Sequence, residues 1–471
     1  MAGTISSAGI GSGLDVATIV SQLMSIEKQP LKQLQTQAST TQSQISEVGK
    51  ISSALSTLRE LSTKLASSTF WAQTTAKSSD AAVSITNDGT AKPATYSVAV
   101  SSLASAQAVV GTQRFAATTD TVGSGTLSIA LGSWSADGNS FNGRTPASSV
   151  DVVIEDGDTL ATLRDKINAS GGGVTASILT DSTGSRLVMR SKDTGAANGF
   201  SVTVAGGSGG VANLGYAPGA KSATLTSSAA DSVATIDGIE VRSASKQLTN
   251  VLDGVSLTLN AVTTTPVTAT VSSDTDAIKK AITDFAAAYT SVATLIANDT
   301  KYDAGSKKAG VLQGDSLITG ALMRMRSTLG NGTTASTVFA RLSDIGLEQQ
   351  RDGSIKVNDT KLTNAVANVD QLRVAFSNLD SANPSNSGFA KQFQKLADSL
   401  IGATGSITQR STALKDKLER NQDRQDALND RLARVEARLT AQYGALDTKV
   451  SSANALQSYV SQQITQWNKA T

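Results

Sequence analysis

The chain has 471 residues, with 41 basic and 39 acidic side chains giving a formal charge of +2, and only 4% of its residues are aromatic. That length accommodates two to four domains, and the charge balance gives no global pull toward nucleic acid or an anionic membrane. There is no Cys and no His, which excludes disulfides and thiolate metal sites and removes the commonest general acid/base and the commonest metal ligand.

The opening MAGTISSAGIGSGLDVATIV has no basic region and no long apolar run. It reads as neither a cleaved signal peptide nor a transmembrane helix, and an exported chain of this kind needs a route without a cleavable signal. Residues 15–66 read as helix. Leu31, Leu34, Ala38, Thr41, Ile45, Val48 and Leu55 follow 3–4 spacing with one skipped position, and Leu58, Leu61 and Leu65 continue the face. Pro30 marks a kink or a new helix start. The stripe is thin, so this helix needs a partner.

From 78 to 272 the chain turns to Val, Thr, Ser and Gly with period-2 alternation, the signature of strands. Strands are expected at 95–100, 126–131, 151–154, 174–179 and 186–191. Asp158 is expected to cap a short helix carrying Leu160, Leu163 and Ile167. IDGIEV (236–241) and LDGVSL (252–257) each set an Asp-Gly turn before an alternating run, which suggests neighbouring strands of one sheet.

Helical spacing returns after 273, with Asp274 as the expected cap. Ile278, Ile282, Phe285, Tyr289, Val292 and Ile296 form one stripe. Further helices are expected through Leu317–Leu322–Met325–Leu329, through Leu362–Val366–Val369–Leu372–Phe376, and through Phe389–Phe393–Leu396–Leu400. Residues 346–357 read as a hairpin turning at Asp352-Gly353. Near the end, Leu414, Leu418, Leu428, Leu432, Val435, Leu439 and Leu446 hold a and d positions of one heptad register, with Asn421, Gln425 and Gln442 filling the rest of the seam. Such a seam is the natural partner for the N-terminal helix, and its polar members restrict register at a cost in stability. The mixed charges beside it read as a solvated coiled-coil face.

Three motifs suggest chemistry. GIGSGLD (9–15) has the glycines of a phosphate loop, but no hydrophobic strand precedes it and no βαβ unit follows; it reads as a lead-in to a helix capped near Asp15. GDSL (314–317) matches an esterase nucleophile motif with Ser316 as nucleophile, yet that chemistry normally needs a histidine base; Asp315 or Ser316 as a helix cap is the alternative. Glu155 and Asp156 could serve as paired carboxylates, and Asp181 and Asp193 as calcium ligands, but the first two sit in a turn and none lies in a dense ligand run. No cofactor and no metal are expected.

The blocks GIGSGLDVATIVSQLMSIEKQPL (9–31), DGDTLATLRDKINASGGGVTASIL (156–179) with SRLVMRSKDTGAANGF (185–200), VSSDTDAIKKAITDFAAAYTSVATLI (271–296) with KYDAGSKKAGVLQGDS (301–316), and DALNDRLARVEARLTAQYGALDTKVSSANALQSYVSQQI (426–464) resemble, in family order, the flagellar filament cap (hook-associated protein 2) family. The second block type also occurs in some flagellins. Residues 107–150 match nothing specific.

The resemblance implies an α+β fold: a coiled-coil leg domain (1–45 and 410–471), a helical domain with a β-hairpin (46–77 and 273–409), a β-rich domain (78–110 and 221–272) and a second, inserted β-rich domain (111–220). It implies a secreted, extracellular protein at the flagellum tip, exported by the flagellar type III apparatus. There it forms a closed, pentameric homo-oligomeric ring that promotes flagellin folding and insertion and prevents flagellin loss. Implied partners are flagellin, the hook-filament junction protein and an export chaperone, with no nucleic acid, no membrane insertion and no enzymatic activity. Leu14, Ile19, Leu23, Ile26, Leu432, Leu439, Leu446, Leu456 and Ile464 are the expected filament and leg contacts. Tyr459, Ile464 and Trp467 are either leg packing or the chaperone anchor. The rival readings are a flagellin-like or junction filament protein, and an adhesin for host mucin or glycans acting through 78–272.

Overall fold

The computed structural model describes residues 13–145, 149–305, 307–383 and 386–469. Among them the helices are α1 (Val16–Glu27), α2 (Gln29–Leu65), α3 (Ser68–Trp71), α4 (Leu160–Ala169), α5 (Thr275–Thr300), α6 (Ser316–Gly330), α7 (Leu342–Ile345), α8 (Asp359–Val366), α9 (Val369–Ser377), α10 (Phe389–Ile401) and α11 (Ser406–Lys469). Contacts divide the chain into two units, Met1–Trp71 with Thr275–Thr471, and Ala72–Asp274. The α+β class expected from the sequence is what the structure has.

The unit 72–274 holds two β cores. In the first, a five-stranded antiparallel sheet runs in the order Thr74–Ser78, Val267–Ser273, Ala94–Ser102, Ser232–Ile236, Ile239–Ser243. A three-stranded sheet runs Gln247–Leu252, Val255–Leu259, Val83–Asn87. Their alternating apolar positions, Val83, Val98, Ile236, Leu257 and Val271 among them, face one core. Both Asp-Gly pairs turn hairpins as read. Asp237 and Gly238 have φ of 47° and 87°, the two positive angles that this tight turn demands. The two hairpins lie in different sheets, however, and not side by side in one. Alternation reports a hairpin's two faces but carries nothing about which sheet it joins.

The second core lies between a six-stranded and a four-stranded sheet with α4 against it. All five expected strands are present, within Ala94–Ser102, Gly125–Trp134, Ser149–Ile154, Val174–Asp181 and Gly184–Ser191. Leu160, Leu163 and Ile167 bury as expected. The cap is Thr159 and not Asp158: the Thr159 hydroxyl accepts from Thr162 N. The Asp158 carboxylate instead receives Glu155 N at 2.8 Å and Lys166 Nζ at 2.5 Å. Adjacent Asp and Thr both suit a cap, and the turn at Gly157 decides between them. Asn168 on α4 covers the outer edge of strand Val174–Asp181. Its Nδ2 donates to Ala176 O at 3.0 Å and its Oδ1 accepts from Ala176 N at 2.7 Å, so one amide imitates the missing neighbour strand.

The other unit is helical. Lys28 separates α1 from α2, with Pro30 in the first turn of α2, where no backbone donor is needed. The skipped position in the α2 stripe is filled by Ile51. Val48, Ile51, Leu55, Leu58 and Leu65 are fully buried in one core with the stripe of α5 and with residues of α6, α8, α9, α10 and α11, and α2 itself packs chiefly on α5, α10 and α11. The few aromatics concentrate here: Phe285 and Tyr289 meet Phe393 edge-on at 5.1 and 5.8 Å, and Trp71 lies 5.6 Å from Phe376. The single helix expected through 362–376 is two. The Asn368 side chain accepts from Gln371 N and caps α9, ending α8 at Val366, since a short polar side chain competes with the helix for its own backbone. The hairpin Leu347–Gln349 with Ile355–Val357 turns where expected. Gly353 has φ +90°, and a Cβ there would meet the Arg326 guanidinium at 2.6 Å.

Asp299 lies in the last turn of α5, where the helix dipole disfavours a carboxylate. Its Oδ2 is buried with no hydrogen-bond partner among the described residues. Burial and, next, the Glu47 carboxylate on α2 push it above the usual carboxylate range, while Lys50 pulls it back. Lys50 itself pairs with Glu47 at 2.8 Å. An acid raised on folding costs stability wherever it is ionised, and the cost is relieved as pH falls through the folded value toward the unfolded one near about 3.9. Asp299→Asn should therefore raise the melting temperature of this unit at neutral pH by about 1–3 °C, with the gain shrinking on acidification. Calorimetry of both proteins across that pH range checks this, and an unchanged or lower neutral-pH transition would contradict it.

Candidate interaction surface

Two helices from opposite ends of the chain make an extended leg. Its first element opens at Asp15, whose Oδ1 accepts from Thr18 N at 3.0 Å and whose Oδ2 accepts from Thr18 Oγ1 at 2.5 Å. These bonds hold the Asp15 carboxyl below its ordinary range, as expected of a cap. The rest of GIGSGLD, up to residue 12, lies outside the described residues.

Four residues apart on α1, Val16, Val20 and Met24 bury against α11 around Leu432, with Leu14, Leu31, Leu428, Val435, Leu439 and Tyr443 packed at the margin. Of the expected contacts, Leu14, Leu432 and Leu439 thus lie in this seam. Ile19 and Leu23 are half-buried and Ile26 is 68% exposed. Helix α1 is apolar on more than one face, so spacing alone offered two stripes, and the larger Ile and Leu set was the wrong one for packing within the chain. Nothing in the spacing marks Val16, Val20 and Met24 as the inner set.

The heptad register of α11 holds from Leu414 through Leu439, with Asn421 and Gln425 buried as expected. It then drifts. Gln442 is exposed and Tyr443 takes the seam position, as a 3.6-residue helix does when a strict 3.5 repeat loses its partner. Beyond Tyr443, α11 runs on for about 39 Å at 1.5 Å per residue. Leu446, Leu456, Tyr459, Val460, Ile464 and Trp467 are all exposed there, Trp467 by 78%, and helical spacing sets them on one face. Leu446, Leu456 and Ile464 are therefore not contacts within this chain's own leg.

At its other end α11 is anchored in the helical core by Ile407 and Leu414. Arg410 Nε also donates to Asp315 Oδ2 at 2.6 Å. Asp315 caps α6 through Leu317 N and Ile318 N, so GDSL is a helix start tied to the leg, with the cap on Asp315 and not Ser316. Asp181 holds Arg114 and Arg186 at 3.2 and 3.3 Å. Its bonds to Thr183 come first and those guanidinium charges last among the causes that lower its carboxyl. Glu155, Asp156 and Asp193 are exposed. Among the described residues no group of three or more acidic side chains is placed to hold a metal, and no helix is long and apolar enough to cross a membrane.

Comparison with known proteins gives this leg its context. The family described as Flagellar hook-associated protein 2 N-terminus matches residues 12–107 and its C-terminus counterpart matches 229–455. The Flagellin hook IN motif matches 138–193. The B-type flagellar hook-associated protein 2 of Pseudomonas aeruginosa is 31% identical over 465 residues, covering 93% of each chain. The flagellar hook-associated protein 2 of Escherichia coli is 30% identical over 471 residues, covering 98% of each. The crystal structure of the flagellar cap protein FliD D1-D2-D3 domains from Escherichia coli aligns at a TM-score of 0.53 and 25% identity, over 78% of this chain and 99% of that one. An α-helical leg that joins the two ends of the chain, a β-rich insert between them, and matches along nearly the whole length lead to one assignment: the chain belongs to the flagellar hook-associated protein 2 family, structural and non-enzymatic caps at the extracellular tip of the bacterial flagellar filament.

Proposed function

We propose that the chain works as a ring-forming cap whose legs grip the filament while flagellin subunits fold and insert beneath it. The observation that carries this is the exposed apolar face of α11 beyond Tyr443, together with the outward Ile26 of α1. An apolar helical face of this length is stable in water only against another apolar surface. The relatives named above are hook-associated and cap proteins, so the filament is the surface in reach. The domain division is proposed accordingly: a leg of 1–45 with 410–471, a helical body of 46–77 with 273–409, and β-rich domains of 78–110 with 221–272 and of 111–220. The ring's closure and its pentameric order follow the family resemblance, as does the hook-filament junction protein as an earlier neighbour. Tyr459, Ile464 and Trp467 suit a helix-binding export chaperone that shields them before secretion.

Removing residues 446–471 leaves both β cores, the helical core and the α1–α11 seam in place. The truncated protein should keep its melting transitions, yet cells carrying it should shed unpolymerised flagellin and swim poorly. The amount of flagellin in the medium, with secretion of the variant verified in the same fraction, is the measurement. Wild-type motility with normal filaments would remove the overhang from the capping mechanism.

The second change is Leu432→Asp. Leu432 is the one fully seated α11 residue among Val16, Val20 and Met24. Losing such a leucine costs about 2–5 kcal/mol, and a carboxylate in its place must also be desolvated or protonated. The leg should loosen while the unit 72–274 keeps its own thermal transition, and flagellin leakage should rise. Leakage at the wild-type level from a secreted variant would show that this seam does not hold the cap on the filament.

A further inference from the structure

The leg seam contains a break in its chemistry. On the body side, Val48, Ile51, Ile407 and Leu414 belong to the large helical core. On the distal side, Val16, Val20, Met24 and Leu432 form a separate small cluster with Leu31 and Leu428 at its edge. Between the two clusters the fully buried positions are polar: Thr41 on α2, and Asn421 and Gln425 on α11, at 2%, 8% and 8% exposure. Leu34, Ala38 and Leu418 around them are only half-buried.

The hydrogen bonding of this layer decides what it does. Thr41 Oγ1 donates to Gln37 O of its own helix at 2.9 Å. Gln425 Nε2 donates to Asn421 Oδ1, again on its own helix, at 2.6 Å. Each side of the layer is bonded to itself and none of these bonds crosses from α2 to α11. Separating the helices here breaks no hydrogen bond and wets groups that water solvates well. A leucine layer would instead expose apolar area, and a cross-helix amide pair would lose its bonds. On the body side both helices are tied to the helical core, α11 by Arg410 to Asp315 at 2.6 Å and α2 by Gln44 Nε2 to Val311 O at 3.3 Å.

We infer that the layer of Thr41, Asn421 and Gln425 is a built-in breakpoint, beyond which α1, the first third of α2 and the matching stretch of α11 open and close as one unit while the helical body stays folded. The distal leg is then a detachable clasp of low stability set by one small apolar cluster, in the way that local cooperative units of a fold open below the global transition.

Hydrogen–deuterium exchange of the full-length chain tests this without any substitution. Amides of 16–40 should exchange at a common rate at least tenfold faster than those of 48–65, with the step falling at Thr41, and 428–443 should step likewise against 407–418. A smooth gradient along α2, the mark of fraying from the end, would overturn the inference, as would uniform protection through Thr41. Asn421→Leu with Gln425→Leu converts the layer to an apolar one and should slow distal exchange at least tenfold without moving the rates of 48–65. Unchanged distal rates in that variant would also overturn it. Should the added leucines drive self-association, the wild-type step still decides. Failure here leaves the capping role untouched, since exchange in solution reads the leg alone.

Discussion

The fold of the helical unit rests on the antiparallel pairing of α2 with α11, which brings the two ends of the chain together. Everything else in that unit is arranged around the pair: α5 and α10 complete the core on the buried face of α2, and α6 is fastened to α11 through Asp315 and Arg410. Such a contact closes a very long loop, and its entropic cost grows only slowly with length. The β-rich insert lowers the geometric cost further. It begins and ends on paired neighbouring strands, with Thr74 opposite Ser273 and Ser78 opposite Ala269, so the chain leaves and returns at adjacent points. That is the condition under which one domain can be inserted into another without disturbing it.

Much of this was legible in the residues, because period is a strong signal where one face is buried. Five strands of 72–274 and its two Asp-Gly turns could be read from alternation, and the stripes of α2, α5 and α10 from 3–4 spacing. What failed shares a physical cause. Asn368 divides a helix because a side-chain cap competes with the backbone ladder, and nothing in the apolar pattern on either side registers that competition. The inner face of α1 is ambiguous in the sequence because Val16–Val20–Met24 and Ile19–Leu23–Ile26 both satisfy the spacing. The replacement of Gln442 and Leu446 by Tyr443 depends on where the partner helix ends, which is a property of three dimensions. Period identifies faces; it does not say which face meets the chain itself and which is left for another molecule.

That ambiguity is itself informative about the leg. A helix that satisfies apolar spacing on two faces is suited to two contacts, one permanent and one made on assembly. On α1 the residues with shorter or more flexible side chains, Val and Met, are used inside the chain, while Ile26 is left outward. On α11 one helix serves both purposes in succession, first as an internal seam and then, past the drift at Tyr443, as an exposed apolar face. The cost of such an arrangement is an exposed apolar surface before assembly, which is the physical reason a secreted subunit of this type would need shielding until it reaches its place.

The absence of histidine bears on where such a protein works. No side chain of the chain has an ordinary pKa between about pH 5 and 8, so its contacts are not switched by modest changes of external pH. The carboxylates with lowered values, among them Asp15, Asp158, Asp181 and Glu348, owe this to hydroxyl, amide, backbone and cationic partners and lose their favourable ionisation only in acid, as pH falls through the folded values below their ordinary range. Asp299 is displaced the other way, by burial, and its protonation would tighten the helical body. The exposed face of α11 beyond Tyr443 is made mainly of apolar side chains, on a stretch of sequence whose ionisable residues are few. A grip built from apolar faces responds weakly to both pH and salt. For the filament grip proposed above, that insensitivity would come from an apolar face on a chain without histidine.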